Sequence, residues 1–366
     1  MQQVCLQCNR TSLHTNLYCQ ESYCPAELSP IILSYGEWLG DIEVVKPLMV
    51  LRTATLYEAT HNREKVLLKV AHPGPSHTAR LKREADLLQK LRLSGEPNPY
   101  LPQWRPPYGQ GSFVEEAVGK TTLRDQLLYF YLFDYVEAEP LRNLLTKNPQ
   151  WRLNHVGWAV ISLAYALGAL HRQGILHGAL SPDCVLVRFD PKENVPRVLL
   201  FDLGVVSDQA NFARYWYRDI ALPAYTAPEL INPQQLQPAP TTDVYGLGLI
   251  LFEMLAGQPL FNYELRSDEA VYRAIQRNQR LKLNREDALS VVNVVLQATH
   301  AQVSQRQRDA ADLARHLMDE RIFGPVPEEP KSRRPRLGTI LRATGALLAM
   351  AVVTTLFIVV VSGIVG

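Results

Sequence analysis

The first half of the chain carries the apolar patterns of strands and of one helix. Residues 66–70 form a nearly continuous apolar run around a single lysine, which predicts a buried strand, and residues 129–136 predict another. Between them, residues 78–93 repeat apolar side chains every three or four positions, as an amphipathic helix does.

The second half of the chain has helical periodicity. Residues 156–171 predict a mostly apolar helix, and residues 243–255 predict a second one that stops at Gly257. A strand-rich half followed by a helical half predicts an α+β fold with a small β-rich N-lobe and a large helical C-lobe. The cleft between such lobes is a natural ligand site.

The last segment of the chain has a different composition. Residues 324–336 are a linker rich in proline and charge, and residues 343–366 contain no charged side chain. As a helix, that stretch spans about 36 Å, enough for a hydrocarbon core of about 30 Å. Five basic residues just before it, Lys331, Arg333, Arg334, Arg336 and Arg342, favour a cytoplasmic linker. We therefore predict a C-terminal transmembrane helix that anchors a cytoplasmic domain in the cell membrane by a single pass; the alternative is a buried helix of the globular domain.

The overall composition narrows the class of protein. With 47% hydrophobic and 20% charged residues, the chain is typical of a globular protein and unlike a disordered one. A net charge of +2 gives no general attraction to nucleic acid, so we expect no nucleic-acid partner.

Four of the five cysteines lie close together in residues 1–30. Cys5, Cys8, Cys19 and Cys24 form two pairs, and two thiolate pairs on neighbouring turns can complete a tetrahedral zinc site. The spacing is similar to that of a zinc ribbon, and a segment this short needs metal to fold. Two alternatives stay open: His14 replaces one thiolate, or the cysteines are unrelated surface residues.

Several short segments follow one another between residues 42 and 318. In chain order they are Val66-Leu67-Leu68-Lys69, Phe133-Asp134-Tyr135-Val136, His177-Gly178-Ala179, Phe201-Asp202-Leu203-Gly204 and Ala227-Pro228-Glu229. Their order and spacing resemble those of the protein kinase family, most nearly its Ser/Thr branch. The resemblance implies the bilobal kinase fold over residues 42–318, and it pairs Arg306 with Glu229.

The resemblance also implies roles for individual residues. Lys69 matches the lysine that contacts the ATP phosphates, and Glu84 matches the glutamate that pairs with it. Asp134 and Val136 match the hinge, where backbone groups meet the adenine. Asp202 matches the aspartate that binds magnesium. The alternative interpretation is that Lys69 and Glu84 only brace the lobe and that Asp202 is a turn residue.

The catalytic positions depart from the family pattern. Ala179 stands where kinases have the catalytic aspartate, and Ser181 replaces the lysine that neutralises the γ-phosphate. Cys184 replaces the asparagine that holds the second magnesium, and a thiol is a poor ligand for that cation. Leu222 replaces a threonine that bonds the missing groups. Asp183 is one acidic residue nearby, and the alignment directs it away from the phosphate.

The nucleotide pocket departs from the family pattern as well. The three glycine positions of the phosphate-binding loop hold Met49, Leu51 and Ala54, whose side chains keep the backbone away from phosphates. Leu67 replaces the alanine that roofs the adenine. Binding of ATP and magnesium therefore stays open.

Three functions remain for such a chain. The leading interpretation is a membrane-anchored pseudokinase, a regulatory and scaffolding module of signal transduction that docks a protein partner such as an active kinase or its substrate. The alternative is a weak or atypical Ser/Thr protein kinase that transfers the ATP γ-phosphate to protein hydroxyls by positioning alone. A third interpretation is a sensor that binds nucleotide without turnover.

Overall fold

The computed structural model describes residues 32–327 except 96–97, 109–115, 192–193, 233–235, 264–266, 278–282, 284, 320–322 and 324–325. It also describes two short N-terminal strands, β1 (Gln3–Val4) and β2 (Thr11–Ser12), which pair antiparallel. The predicted zinc ligands and the predicted transmembrane stretch 343–366 lie outside the described residues.

The N-lobe is built on an antiparallel sheet with one long helix. Among the described residues the sheet has seven strands in the order β3-β4-β5-β6-β9-β7, with β8 paired to β9. The strands are β3 (Trp38–Leu39), β4 (Ile42–Val50), β5 (Ala54–His61), β6 (Glu64–Ala71), β7 (Trp104–Arg105), β8 (Gly119–Leu123) and β9 (Gln126–Asp134). Both residues of the β5–β6 turn, Asn62 and Arg63, have positive φ, the geometry that matches the twist of a two-residue hairpin.

Helix α1 (Pro75–Leu93) connects β6 to the rest of the lobe. It begins after Gly74 with a proline in its first turn, where no backbone donor is needed. Its buried face carries Leu81, Ala85 and Leu88, and also two charged residues, Arg80 and Glu84. These two lie four residues apart and therefore project from the same face, one turn apart.

The C-lobe is mainly helical. Its helices are α2 (Leu141–Lys147), α3 (Leu153–Arg172), α4 (Phe212–Tyr215), α5 (Pro240–Ala256), α6 (Asp268–Gln276), α7 (Leu289–Ala298) and α8 (Ala310–Asp319). Its short strands are β10 (Glu139–Pro140), β11 (Ile175–Leu176), β12 (Val185–Phe189), β13 (Pro196–Leu200) and β14 (Ser207–Asp208). They form a β10-β12-β13 sheet and a β11-β14 pair that place the loops facing the N-lobe.

Helices α3 and α5 form the centre of the C-lobe. Both are apolar on most sides, and nearly every residue of α5 from Thr242 to Leu255 is buried. Gly248 lets α5 approach α7, because a Cβ there would lie 2.6 Å from that of Ala298. Within the described residues, α3 alone is long and apolar enough to cross a membrane, with a mean hydropathy of 1.4, but 78% of that window is buried in the protein. It is therefore a core helix.

One hydrophobic cluster continues from the N-lobe into the C-lobe. It includes Met49, Leu56 and Leu67 of the sheet together with Leu186 and Phe201 of the C-lobe. The two-lobed α+β fold expected from the sequence is confirmed. Residues at the expected cleft are packed into a shared core.

Candidate functional site

Lys69, Glu84 and Asp202 meet between the lobes. The Lys69 ammonium donates to Glu84 Oε2 at 2.5 Å and to Asp202 Oδ1 at 2.6 Å. The second oxygen of Glu84 accepts the backbone N–H of Leu203 at 3.0 Å, which ties helix α1 to the segment after β13. All three charged side chains are buried. The predicted Lys69–Glu84 pair is present, and both residues contact the Asp202 segment.

A second cation, Arg80, shares Asp202 with Lys69. Its guanidinium donates to both carboxylate oxygens of Asp202, at 3.1 and 3.0 Å. It also donates to the Gly204 carbonyl at 2.6 Å and to Thr53 Oγ1 at 2.7 Å. Sequence reasoning missed Arg80, although its position one turn before Glu84 on the buried face of a helix was a usable signal.

The network of two cations and two anions is balanced in charge. Burial on its own would raise the pKa of Asp202, but the adjacent Arg80 and Lys69 hold it well below its usual range. Burial raises the pKa of Glu84, and Lys69 counteracts only part of that rise. The Arg80 pKa is raised despite burial, because Asp202 and Glu84 stabilise its charged form. Asp202 is therefore an ionised carboxylate with both oxygens engaged.

The loop between β4 and β5 closes over this network. Residues 51–53 are buried, and the Leu51 N–H donates to the Ala54 carbonyl at 2.8 Å. His72 holds the loop twice, since its backbone N–H donates to the Thr53 carbonyl at 2.9 Å and its ring Nε2 lies 2.9 Å from the Leu51 carbonyl. Arg52 forms an ion pair with Asp268 of α6 at 3.5 Å. The loop that corresponds to the phosphate-binding loop is thus fixed to both lobes.

Asp243 of α5 anchors the start of the segment 177–184. This carboxylate accepts the backbone N–H groups of His177 and Gly178 at 2.9 and 2.7 Å, and a ring N–H of His171 at 2.9 Å. The ring of His177 contacts the Asp202 carbonyl oxygen through Nε2 at 2.7 Å, while its Nδ1 accepts the Ala179 N–H at 3.2 Å. The backbone of the loop is therefore held in place.

The four positions expected to have lost their chemistry come together. Ala179, Ser181, Cys184 and Leu222 are all buried around Asp202. The Cys184 thiol lies 3.5 Å from the Ala179 carbonyl and 3.8 Å from Asp202 Oδ2, and burial raises its pKa strongly. Ser181 accepts the Asp183 N–H at 3.3 Å and so caps the short turn that follows. These side chains supply packing and local hydrogen bonds, and no base.

Asp183 is held by another cation. Its carboxylate accepts Arg142 Nε at 3.1 Å, and the same guanidinium donates to Glu253 at 2.5 Å and to the Tyr225 hydroxyl at 2.8 Å. Arg142 and Glu253 are buried. Asp183 is thus tied to helix α2.

The two predicted hinge residues lie at the edge of the N-lobe sheet. Strand β9 ends at Asp134, whereas the sequence predicted a strand that continues to Val136. Its carboxylate pairs with Arg105 at 2.5 Å, and its backbone N–H donates to the Gln103 carbonyl at 2.9 Å. Val136 is half-buried against the shared core. The backbone donor of Asp134 is therefore already engaged.

The cavity beneath the loop is small. Its volume is about 20 Å³, and its lining is Val50, Leu51, Arg52, Arg80, Ala179, Ser181, Asp183, Cys184, Asp202, Ile220 and Leu222. That space holds about one water molecule, whereas pockets for drug-sized ligands run to roughly 300–1,000 Å³. A cavity of about 330 Å³ lies elsewhere, beside Arg142, Glu253 and Tyr263 of the C-lobe.

The expected Glu229–Arg306 pair is formed. Arg306 donates to both carboxylate oxygens of Glu229, at 2.8 and 2.9 Å, and its side chain is buried. The planar guanidinium suits this two-point contact. The pair joins the end of the 201–229 segment to the helical core.

Comparison with known proteins identifies the fold family. The model of the protein kinase domain matches residues 118–322. This chain belongs to the protein kinase domain family. The kinase domain of Mycobacterium tuberculosis PknI, solved as a double mutant, covers 79% of the chain and is itself covered completely, with a TM-score of 0.53 and 18% identity. At that identity, the likeness concerns the fold.

Curated relatives are Ser/Thr and mitogen-activated protein kinases. Mitogen-activated protein kinase 9 of Arabidopsis thaliana is 27% identical over 55% of this chain and 37% of its own length. Serine/threonine-protein kinase PAK 4 of Homo sapiens is 29% identical over 40% of this chain and 23% of its own length. The mycobacterial kinase PknK is 31% identical over 50% of this chain and 17% of its own length. The chain thus spans less than two-fifths of each relative.

Membership of the kinase family implies the use of ATP and Mg²⁺. Magnesium prefers six oxygen ligands in a regular octahedron. Here both oxygens of Asp202 already accept hydrogen bonds from cations, and the position of the second ligand holds the Cys184 thiol. Among the described residues, no group of three or more His, Cys, Asp or Glu side chains is placed to hold a metal ion. The described cleft does not fit a magnesium–nucleotide complex.

Proposed function

We propose that this chain is a pseudokinase, a kinase fold that acts as a regulatory and scaffolding module in signalling. The observation that carries the proposal is the set of residues around Asp202. Ala179, Ser181, Cys184 and Leu222 line one buried cavity, and none of them can accept a proton from a substrate hydroxyl or neutralise a transferred phosphate.

The closed geometry supports the same function. Phosphoryl transfer depends on positioning the nucleotide and on stabilising its charge. The 20 Å³ cavity has no room for a triphosphate, and Asp183, the acidic side chain that lines it beside Asp202, is paired with Arg142. Asp243 and the Glu229–Arg306 pair hold the loops through contacts within the protein.

We further propose that the module works at the cytoplasmic face of the cell membrane. The uncharged stretch 343–366 and the basic residues before it support a single-pass C-terminal anchor. Cys5, Cys8, Cys19 and Cys24 would bind a structural zinc ion, and the pairing of β1 with β2 on either side of the first cysteine pair supports a compact segment there. The partner would be a protein, such as an active kinase or its substrate.

A weak or atypical Ser/Thr kinase is the second candidate. The assembled Lys69, Glu84 and Asp202 favour it, because these are the groups through which kinases position nucleotide and metal. The named kinase relatives favour it as well.

Phosphotransfer separates the two candidates. The full-length chain is incubated with γ-labelled ATP, Mg²⁺ and a general protein acceptor, beside an Asp202→Ala variant and an active kinase as positive control. The pseudokinase proposal predicts equal, background labelling for both forms of this chain. Labelling by the wild type that disappears in Asp202→Ala would establish the kinase instead.

A further inference from the structure

Arg80 contacts two distant segments of the chain, residues 202–204 and Thr53. Its guanidinium binds both oxygens of Asp202, the carbonyl of Gly204 and the hydroxyl of Thr53, at distances from 2.6 to 3.1 Å. The side chain is 4% exposed, so these contacts form away from solvent. The rigid fork of an arginine suits such multiple contacts, and a lysine would reach fewer of them.

Arg80 places a positive charge on the carboxylate that corresponds to the metal-binding aspartate of kinases. A divalent cation on the Asp202-type carboxylate neutralises negative charge and links that segment to the nucleotide under the loop. Here Arg80 neutralises Asp202 and links it directly to Thr53 of the closing loop. With Lys69 and Glu84, the network carries two positive and two negative charges.

Besides Arg80, which donates to Thr53, two further residues fasten the loop. His72 holds the Leu51 and Thr53 carbonyls, and Arg52 reaches Asp268 of α6 in the C-lobe. Met49 and Leu51 are buried in the shared core. The closed arrangement is therefore held by contacts within the protein.

We propose that Arg80 is a built-in counter-ion that takes the place of magnesium at Asp202 and helps to keep the two lobes closed. The inference rests on the proposed function, since a cleft that transfers phosphate must admit the nucleotide. The inference adds a cause for the exclusion of nucleotide: the guanidinium of Arg80 occupies the site on Asp202 that magnesium would take.

The first arm of the test measures ligand binding. Thermal shifts of the full-length chain are recorded against ATP with Mg²⁺, and against ATP with a chelator, for wild type, Arg80→Met and Arg83→Met. Arg83 is the matched control, because it lies on the same helix, contacts the Val205 carbonyl and stacks on Tyr215 without touching Asp202. Wild type and Arg83→Met are expected to show no Mg²⁺-dependent shift. Arg80→Met is expected to bind at least about tenfold more tightly than wild type, because its competent state is no longer suppressed.

The second arm measures loop closure and covers the case in which Arg80→Met does not fold. Arg80→Lys keeps the charge beside Asp202 but has a single nitrogen. Amide hydrogen exchange at Leu51 and His72, whose N–H groups are bonded in the closed loop, is expected to be at least about tenfold faster in Arg80→Lys than in wild type or Arg83→Met.

Two results would overturn the proposal. One is a Mg²⁺-dependent thermal shift that is no larger in Arg80→Met than in wild type. The other is unchanged exchange at Leu51 and His72 in Arg80→Lys. The phosphotransfer assay is run on the same samples, so that the two proposals fail separately. Phosphate transfer by wild type refutes the pseudokinase, whereas wild-type Mg²⁺–ATP binding without transfer refutes only the role of Arg80.

Discussion

Replacing Lys69 by methionine tests whether the charge network is a structural element of the fold. The ammonium lies 2.5 Å from Glu84 and 2.6 Å from Asp202, and all three side chains are buried. Removing one partner of a buried ion pair leaves an uncompensated charge and costs about 3–5 kcal/mol. Asp202 keeps Arg80 as a hydrogen-bonded cationic partner, whereas Glu84 loses the cation that donates to it directly and keeps the Leu203 N–H. We therefore expect Lys69→Met to lower the free energy of unfolding by about 3 kcal/mol, mainly through the stranded Glu84.

The measurement is urea unfolding of the purified full-length chain at neutral pH, with midpoint and slope compared between variants. The matched control is the double variant Lys69→Met/Glu84→Gln, because glutamine removes the stranded charge but keeps an oxygen that can accept the Leu203 N–H. Contacting residues couple by about 0.5–3 kcal/mol, so the double variant should be more stable than Lys69→Met alone. A loss below about 1 kcal/mol, the range of solvated surface pairs, would refute a buried network.

Three further predictions concern other parts of the site. Burial lowers the pKa of His72 from 6.5 to about 4, and the neighbouring His77 lowers it slightly further. As the pH falls from 6.5 towards 4, the unfolded chain therefore binds a proton at His72 before the folded chain does, and the folded state loses stability. The loss in the free energy of unfolding reaches about 3 kcal/mol and should be smaller in His72→Gln, as measured by urea unfolding at several pH values. The same pH profile in wild type and His72→Gln would count against this role of His72. Gly204→Ala should lower the free energy of unfolding by more than about 3 kcal/mol, because φ is +71° and the new Cβ would lie 2.1 Å from the His177 carbonyl oxygen. The control is Gly174→Ala, which has the same φ but open space around the new Cβ and should cost about 1 kcal/mol. Equal losses in thermal unfolding would contradict this. Cys184 should resist alkylation in the native chain and react only after unfolding, because burial raises its pKa; peptide mass spectrometry showing native labelling would disprove it.

Much of the fold was predictable, because the apolar patterns in the sequence match the strands and helices of the structure. The apolar run at 66–70 lies within β6, and the helix expected at 78–93 is α1. The helices predicted at 156–171 and 243–255 are α3 and α5, each a few residues longer than expected. The Glu229–Arg306 pair followed from the family resemblance, since its two members lie 77 residues apart.

The closed cleft was not predictable in the same way. The sequence identified Met49, Leu51 and Ala54 as departures from a glycine-rich loop, but it left nucleotide binding open. Burial of that loop depends on contacts between distant residues, such as Arg52 with Asp268. The position of Arg80 on the buried face of α1 was visible in the helical spacing, but its target, Asp202, lies 122 residues away. Pairing at that distance is set by tertiary packing.

The same limit applies to the C-lobe cluster around Arg142. Asp183 was noticed in the sequence as an acidic residue near the catalytic positions, but its partner was not predicted. Arg142 joins Asp183, Glu253 and Tyr225 from three different parts of the chain. None of these residues has a local pattern that links it to the others.

The most direct test of the central claim is a single-turnover reaction with the full-length chain in excess over γ-labelled ATP and with Mg²⁺ present. Both labelled protein and released inorganic phosphate are counted, so that hydrolysis is detected as well as transfer. The account predicts that ATP stays intact, with the same background in wild type and Asp202→Ala. Consumption of ATP by the wild type that Asp202→Ala abolishes would contradict it.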